Sequence, residues 1–186
     1  MKRILGLCAA ALTLGTAPAA AASAGITYDC DTAADHFSEL VLPAPGTRFV
    51  VSGSVQLMTL ARSKTYVPTA RVRIGSSSAP GASASVFAGF SLTAMAADPK
   101  KTPSGAAAIQ MLSYNINGKE DEALPLSLMT KPGTVQAFRL SYDGSQVRVD
   151  LGNETKSFAV KTTDPVVRIV CSTGEFLFTN VTIEGR

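Results

Sequence analysis

The chain has 186 residues, 46% of them hydrophobic, with 17 basic and 14 acidic residues and a formal net charge of +3. Two of the basic residues, Lys2 and Arg3, stand at the amino terminus; without them the basic count falls from 17 to 15 against 14, a net charge of +1. That balance gives no electrostatic case for nucleic acid as a partner, and no polybasic cluster addresses anionic lipid.

In chain order, the export signal comes first. Lys2 and Arg3 supply a positive start, Ile4 to Leu14 is an uncharged apolar run, and Thr16 to Ala24 is small residues plus Pro18. This composition predicts a cleaved signal over residues 1–24, with the cut after Ala22 or Ala24. The apolar run is too short to span a bilayer, which takes about 20 residues, so no membrane span is expected once the signal is removed. Cys8 stands too early for a lipid-modified amino terminus, because only seven residues precede it. The remainder, 25–186, is expected to be a single periplasmic or secreted domain.

Two cysteines remain, Cys30 and Cys171, each ending a short strand-like run. An even pair in an exported chain predicts a disulfide between them. Two distant thiols and one histidine make a poor zinc set.

The only helix signal is Asp31 to Leu42, where Asp31 or Thr32 offers a cap and Phe37, Leu40 and Val41 a shared face, before Pro43 and Pro45. From Thr47 on, the pattern has the period of two expected of half-buried strands. Thr47 to Met58 places Phe49, Val51, Val55 and Leu57 on one face, with Gly53 as a candidate bulge. Thr69 to Gly75 sends Val72 and Ile74 inward and Arg71 and Arg73 outward. Val86 to Met95 and Ala106 to Ile116 are further strands. Thr134 to Val160 predicts a three-strand meander: Phe138, Leu140 and Tyr142 alternate with Arg139, the chain turns at Asp143-Gly144, and Val147, Val149 and Leu151 return with Arg148 outside. Val166 to Cys171 and Glu175 to Ile183 close the chain. About nine strands at short spacing, without crossover helices, predict an all-β, two-sheet antiparallel sandwich with at most one short helix.

The run from Ala137 to Leu151 (AFRLSYDGSQVRVDL) and the ending GEFLFTNVTI from Gly174 resemble the closing strands of concanavalin A-like lectin and glucanase domains, a jelly roll shared with laminin-G-like domains. That resemblance implies two sheets with the first and last strands close together, and carbohydrate as the ligand class. It does not extend to catalysis. A glucanase of this kind carries acidic residues at E-x-D-x-E spacing, so that one carboxylate protonates the leaving oxygen while another attacks or activates water. The nearest acidic cluster here, Glu120-Asp121-Glu122, lacks that spacing and reads as a solvated loop after Asn117-Gly118-Lys119. His36, the one histidine, adjoins Asp35, and no G-x-S-x-G elbow accompanies them.

The sequence therefore points to a non-enzymatic exported protein that binds a glycan or another envelope component. A divergent glycan-active hydrolase or lyase is the alternative, and a structural or interaction module without a small ligand is the third. With no tryptophan present, Tyr66 and Tyr114 are the candidate platforms for a sugar ring. Arg71, Arg73, Arg139 and Arg148 all fall outward by alternation, and on one sheet they would form a basic stripe for uronate or other anionic glycans; a solvated face guarded against aggregation is the bland reading. Calcium is the one cofactor suggested, through Asp29, Asp31 and Asp35 as oxygen ligands, against a plain cap-and-turn cluster.

Overall fold

The computed structural model describes residues 25–60, 63, 65–77, 86–94, 107–114, 120–123 and 128–186. The expected export signal lies outside them.

The described residues form two antiparallel sheets. The first is built from β1 (Ile26–Asp31), β13 (Gly174–Gly185), β3 (Phe49–Leu60), β9 (Val135–Tyr142), β10 (Gln146–Leu151) and β11 (Glu154–Ala159), in that spatial order. The second runs β2 (Phe37–Pro43), β12 (Pro165–Ser172), β4 (Thr69–Ser76), β5 (Phe87–Ala94), β6 (Ala107–Tyr114) and β7 (Glu120–Ala123), with β8 (Leu128–Thr130) also paired to β6. No described residue is helical.

The core lies between the sheets because alternation sends one apolar set inward from each. Phe49, Val51, Val55 and Leu57 of β3 are all fully buried, as are Val72 and Ile74 of β4. Phe138 from the six-stranded sheet meets Phe90 from the seven-stranded one with ring centroids 5.3 Å apart. Tyr142 is buried with its hydroxyl satisfied, donating to the carbonyl of Thr162 and accepting from that residue's N–H. Two further links tie the sheets at the other end. Cys30 on β1 and Cys171 on β12 are joined as a disulfide, with Cα atoms 6.3 Å apart. Tyr28 on β1 shares a 2.7 Å hydrogen bond with Ser38 on β2.

Three local expectations need correction. Asp31 to Leu42 is not a helix: a turn at Ala34-Asp35 leads into β2, which pairs along β12 from Phe37↔Ser172 to Pro43↔Val166. Leu40 and Leu42 pack on the core, so the segment follows a period of two, and pairing with a buried neighbour overrides its helical spacing. Glu120 to Ala123 is a strand rather than a loop, and it pairs with β6. Gly53 is not itself the bulge. It pairs with Phe138 on one side; on the other, the two residues Asn180 and Val181 face the single Gly53 between Thr179↔Ser54 and Thr182↔Ser52, so β13 carries one extra residue. Asn180 takes φ 53° there. Glycine at 53 makes room for this, because a Cβ would stand 3.0 Å from Phe138 Cζ and 3.1 Å from Val181 Cγ2.

The meander stands as expected, with a shift in its first turn. Asp143 donates its N–H to the carbonyl of Gln146, so Gly144 and Ser145 are the central residues and Gly144 supplies φ 101°. The Asp143 carboxylate accepts from the N–H groups of Ser145 and Gln146 and from the Ser145 hydroxyl. The two backbone bonds lead in holding its pKa below the usual carboxylate value.

Candidate functional site

The four outward arginines do not form one stripe. Arg71 and Arg73 leave β4 of the seven-stranded sheet, and Arg139 and Arg148 leave β9 and β10 of the six-stranded sheet. Each pair points away from the core on its own sheet, so the two lie on opposite outer faces of the sandwich.

The outer face of the six-stranded sheet is locally neutralised. Arg148 Nε donates to Asp150 Oδ1 at 2.9 Å, and the Thr155 hydroxyl donates to the same oxygen at 2.7 Å. Partial burial pushes the Asp150 pKa up, but the Thr155 and Arg148 contacts outweigh it and the net shift is downward. Arg139 stands directly opposite Asp150 in the register.

On the outer face of the seven-stranded sheet the paired charges are more shielded from solvent. Strand pairing sets residues in rows across it. One row runs Glu39, Val170, Arg71, Ser91 and Gln110; the next runs Val41, Arg168, Arg73, Gly89 and Leu112. Arg168, between Val167 and Ile169, is turned outward and is only 8% exposed. Glu39 joins the two arginines of the second row: its Oε1 lies 3.0 Å from Arg168 Nη1 and 3.6 Å from Arg73 Nη2. Arg73 also stacks on Phe87, with Cζ 4.5 Å from the ring centroid. Burial lowers the pKa of Arg73 and the Glu39 charge opposes that, yet a guanidinium stays protonated at any ordinary pH.

Arg71 is different. Among the described residues it forms no hydrogen bond or ion pair; its Nε is buried without a partner, as is that of Arg73. Its side chain lines an open pocket of about 230 Å³, together with Tyr66 and Val67, Thr69 of β4, and Val170–Ser172 of β12. Tyr66 is 57% exposed at the rim. Its segment is anchored through Ser63, whose hydroxyl oxygen accepts from the N–H groups of Thr65 and Tyr66 and whose proton goes to the Asp35 carboxylate. Arg71 and Tyr66 thus meet in one pocket. Tyr114 lies farther along the sheet, opposite Phe87 and Glu120.

The three aspartates do not converge. Asp29 and Asp31 lie on β1, and Asp35 is in the turn with φ 65°. Among the described residues no three His, Cys, Asp or Glu side chains stand close enough to hold a metal ion. His36 Nδ1 bonds the carbonyl of Ala34 at 2.9 Å, not a serine.

Glu39 and Arg168 are the site residues that sequence reasoning missed. The signal for Arg168 was its place in Val166 to Cys171, where alternation turns it away from Val167 and Ile169. Glu39 was hidden by the helical reading of its segment.

No protein-family model and no curated protein matches the chain in sequence. Solved structures do match its shape. An alginate lyase from Pseudomonas aeruginosa aligns with TM-score 0.60 at 11% identity, over 89% of this chain and 84% of its own. A polysaccharide lyase of family 18 aligns at 0.54 and 11%, over 87% and 96%. The carbohydrate-binding module CBM66 from Bacillus subtilis aligns at 0.50 and 10%, over 88% and 98%. The fold is therefore a two-sheet jelly-roll sandwich, shared with these structures.

Proposed function

We propose that this chain is an exported glycan-binding domain, and that its ligand lies on the outer face of the seven-stranded sheet with an acidic group at Arg71. The observation that carries this is the unpaired Arg71 beside the exposed ring of Tyr66 in one pocket. A partly desolvated guanidinium without a counter-charge favours a carboxylate or sulfate, which it can grip through two parallel hydrogen bonds. The flat face of a tyrosine suits the apolar side of a sugar ring, since the ring combines an apolar body with a polar tip. The shared fold of a carbohydrate-binding module and of polysaccharide lyases supports carbohydrate as the ligand class. The disulfide supports an oxidising, extracytoplasmic setting, in keeping with the export signal read from residues 1–24.

The second reading is a polysaccharide lyase, favoured by the two lyases among the fold neighbours. Neutralising a uronate carboxylate, the role proposed for Arg71, is also what proton abstraction next to that carboxylate needs. A glycan array spanning acidic and neutral polysaccharides tests binding. Ultraviolet absorbance of unsaturated uronate, followed on each acidic hit, tests turnover. Binding of acidic glycans without absorbance supports the first reading, absorbance supports the second, and an array without an acidic hit contradicts both.

A further inference from the structure

We propose that Glu39 is a built-in counter-anion that occupies Arg73 and Arg168 and so reserves Arg71 as the ligand-facing cation of this face. The role given to Arg71 rests on the glycan reading above.

Strand pairing puts Arg168 directly opposite Arg73, an arrangement that is repulsive when two like charges face each other across a sheet. A single carboxylate oxygen bridges them, at 3.0 and 3.6 Å. Glu39 does not come from their row. Its own row continues to Val170 and then Arg71, two strand spacings away, or about 9–10 Å between backbones. The uncharged Val170 fills the position between. Glu39 therefore leans sideways onto the second row and leaves the cation of its own row unmatched.

Burial makes that choice hard to reverse. The side chains of Glu39, Arg168 and Arg73 are 16%, 9% and 22% exposed, and charges shielded from water attract one another more strongly than exposed ones. Arg73 is further held by the Phe87 ring, and Arg168 Nη2 donates to the carbonyl of Ser77 at 3.4 Å. Arg71 has none of these contacts and faces the pocket. Of the three cations on this face among the described residues, Arg73 and Arg168 are answered by Glu39 and Arg71 is not, so the face takes one acidic group at a time. Glu39 thereby sets how much negative charge a ligand is allowed to bring.

The test uses sodium sulfate at constant ionic strength as the probe and the arginine Nε–H resonances of the folded protein as the readout. In the unaltered protein the Arg71 resonance should shift saturably while those of Arg73 and Arg168 stay still. In Glu39→Gln, all three should shift, and sulfate should bind about tenfold tighter because a charge-assisted site has been opened. Equal movement of all three in the unaltered protein, or no movement of Arg71, would overturn the proposal. The unaltered protein is measured first, so the test stands even where Glu39→Gln folds poorly. A protein that shows the expected sulfate pattern but binds no glycan on the array would remove the glycan reading and leave the counter-anion assignment intact.

Discussion

Arg71 and Arg73 leave β4 two residues apart on the same face, yet only Arg73 is paired, by Glu39 at 3.6 Å and by the Phe87 ring at 4.5 Å. Identical side chains on one strand have been given different work by their neighbours. Arg71→Ala should cost under about 1 kcal/mol, since it removes packing of the side-chain stem but no hydrogen bond or ion pair seen among the described residues. Arg73→Ala should cost about 1–2 kcal/mol, since it removes a ring stack and part of an ion-pair cluster. Urea unfolding of the two variants against the parent checks the difference.

Phe138 is 3% exposed and reaches across the sandwich to Phe90. Phe138→Ala should destabilise the protein by about 3–5 kcal/mol, the usual cost of an aromatic cavity. Denaturant titration measures it. A loss below about 1 kcal/mol would show that this ring does not hold the sheets together.

Gly89 sits opposite Arg73 on the neighbouring strand. A Cβ there would stand 2.0 Å from the Val72 carbonyl oxygen and 2.7 Å from Arg73 Cα. Both are backbone atoms, so no side-chain movement relieves the clash. Gly89→Ala should cost at least the ~1–3 kcal/mol of ordinary overpacking. It should also weaken glycan binding, because β4 carries Arg71.

The Cys30–Cys171 link closes 141 residues of sequence. Loop-closure entropy puts its removal at about 5 kcal/mol as an upper figure. Cys30→Ala with Cys171→Ala should lower the melting temperature by many degrees. Peptide mapping without reductant should show the two segments joined in the parent.

Asp143 and Asp150 both have lowered pKa values in the folded chain. A carboxylate with a depressed folded-state pKa stabilises fully above its unfolded value of about 3.9, and that contribution is lost as pH falls through the folded value. Stability should therefore decline below about pH 4. Asp143→Asn should be less stable than the parent at neutral pH, and the gap should narrow on acidification. Thermal melts at a series of pH values check this.

The meander could be read from sequence because Phe138, Leu140 and Tyr142 answer Val147, Val149 and Leu151 across a glycine turn, so pattern and turn chemistry agree. The disulfide followed from compartment and count. The β2 segment misled because Phe37, Leu40 and Val41 fit a helical face, and only pairing with β12 shows that Leu40 and Leu42 are its inward residues. The arginines were read correctly as outward, one strand at a time. Which strands share a sheet is a long-range property, and no local pattern reveals that β4 and β9 lie in different layers. The same limit hid Glu39, whose role depends on a residue 129 positions away in sequence, Arg168.

The central claim is that an acidic glycan binds at Arg71 on the seven-stranded sheet. Calorimetric titration of the leading acidic oligosaccharide from the array into three proteins tests it most directly: the parent, Arg71→Ala, and Arg139→Ala with Arg148→Ala. The account predicts that Arg71→Ala loses at least about tenfold in affinity. The double variant on the opposite face should bind as the parent does, and the parent's affinity should fall with added salt as the charges are screened. Undiminished binding in Arg71→Ala, or loss of binding in the double variant alone, would contradict it.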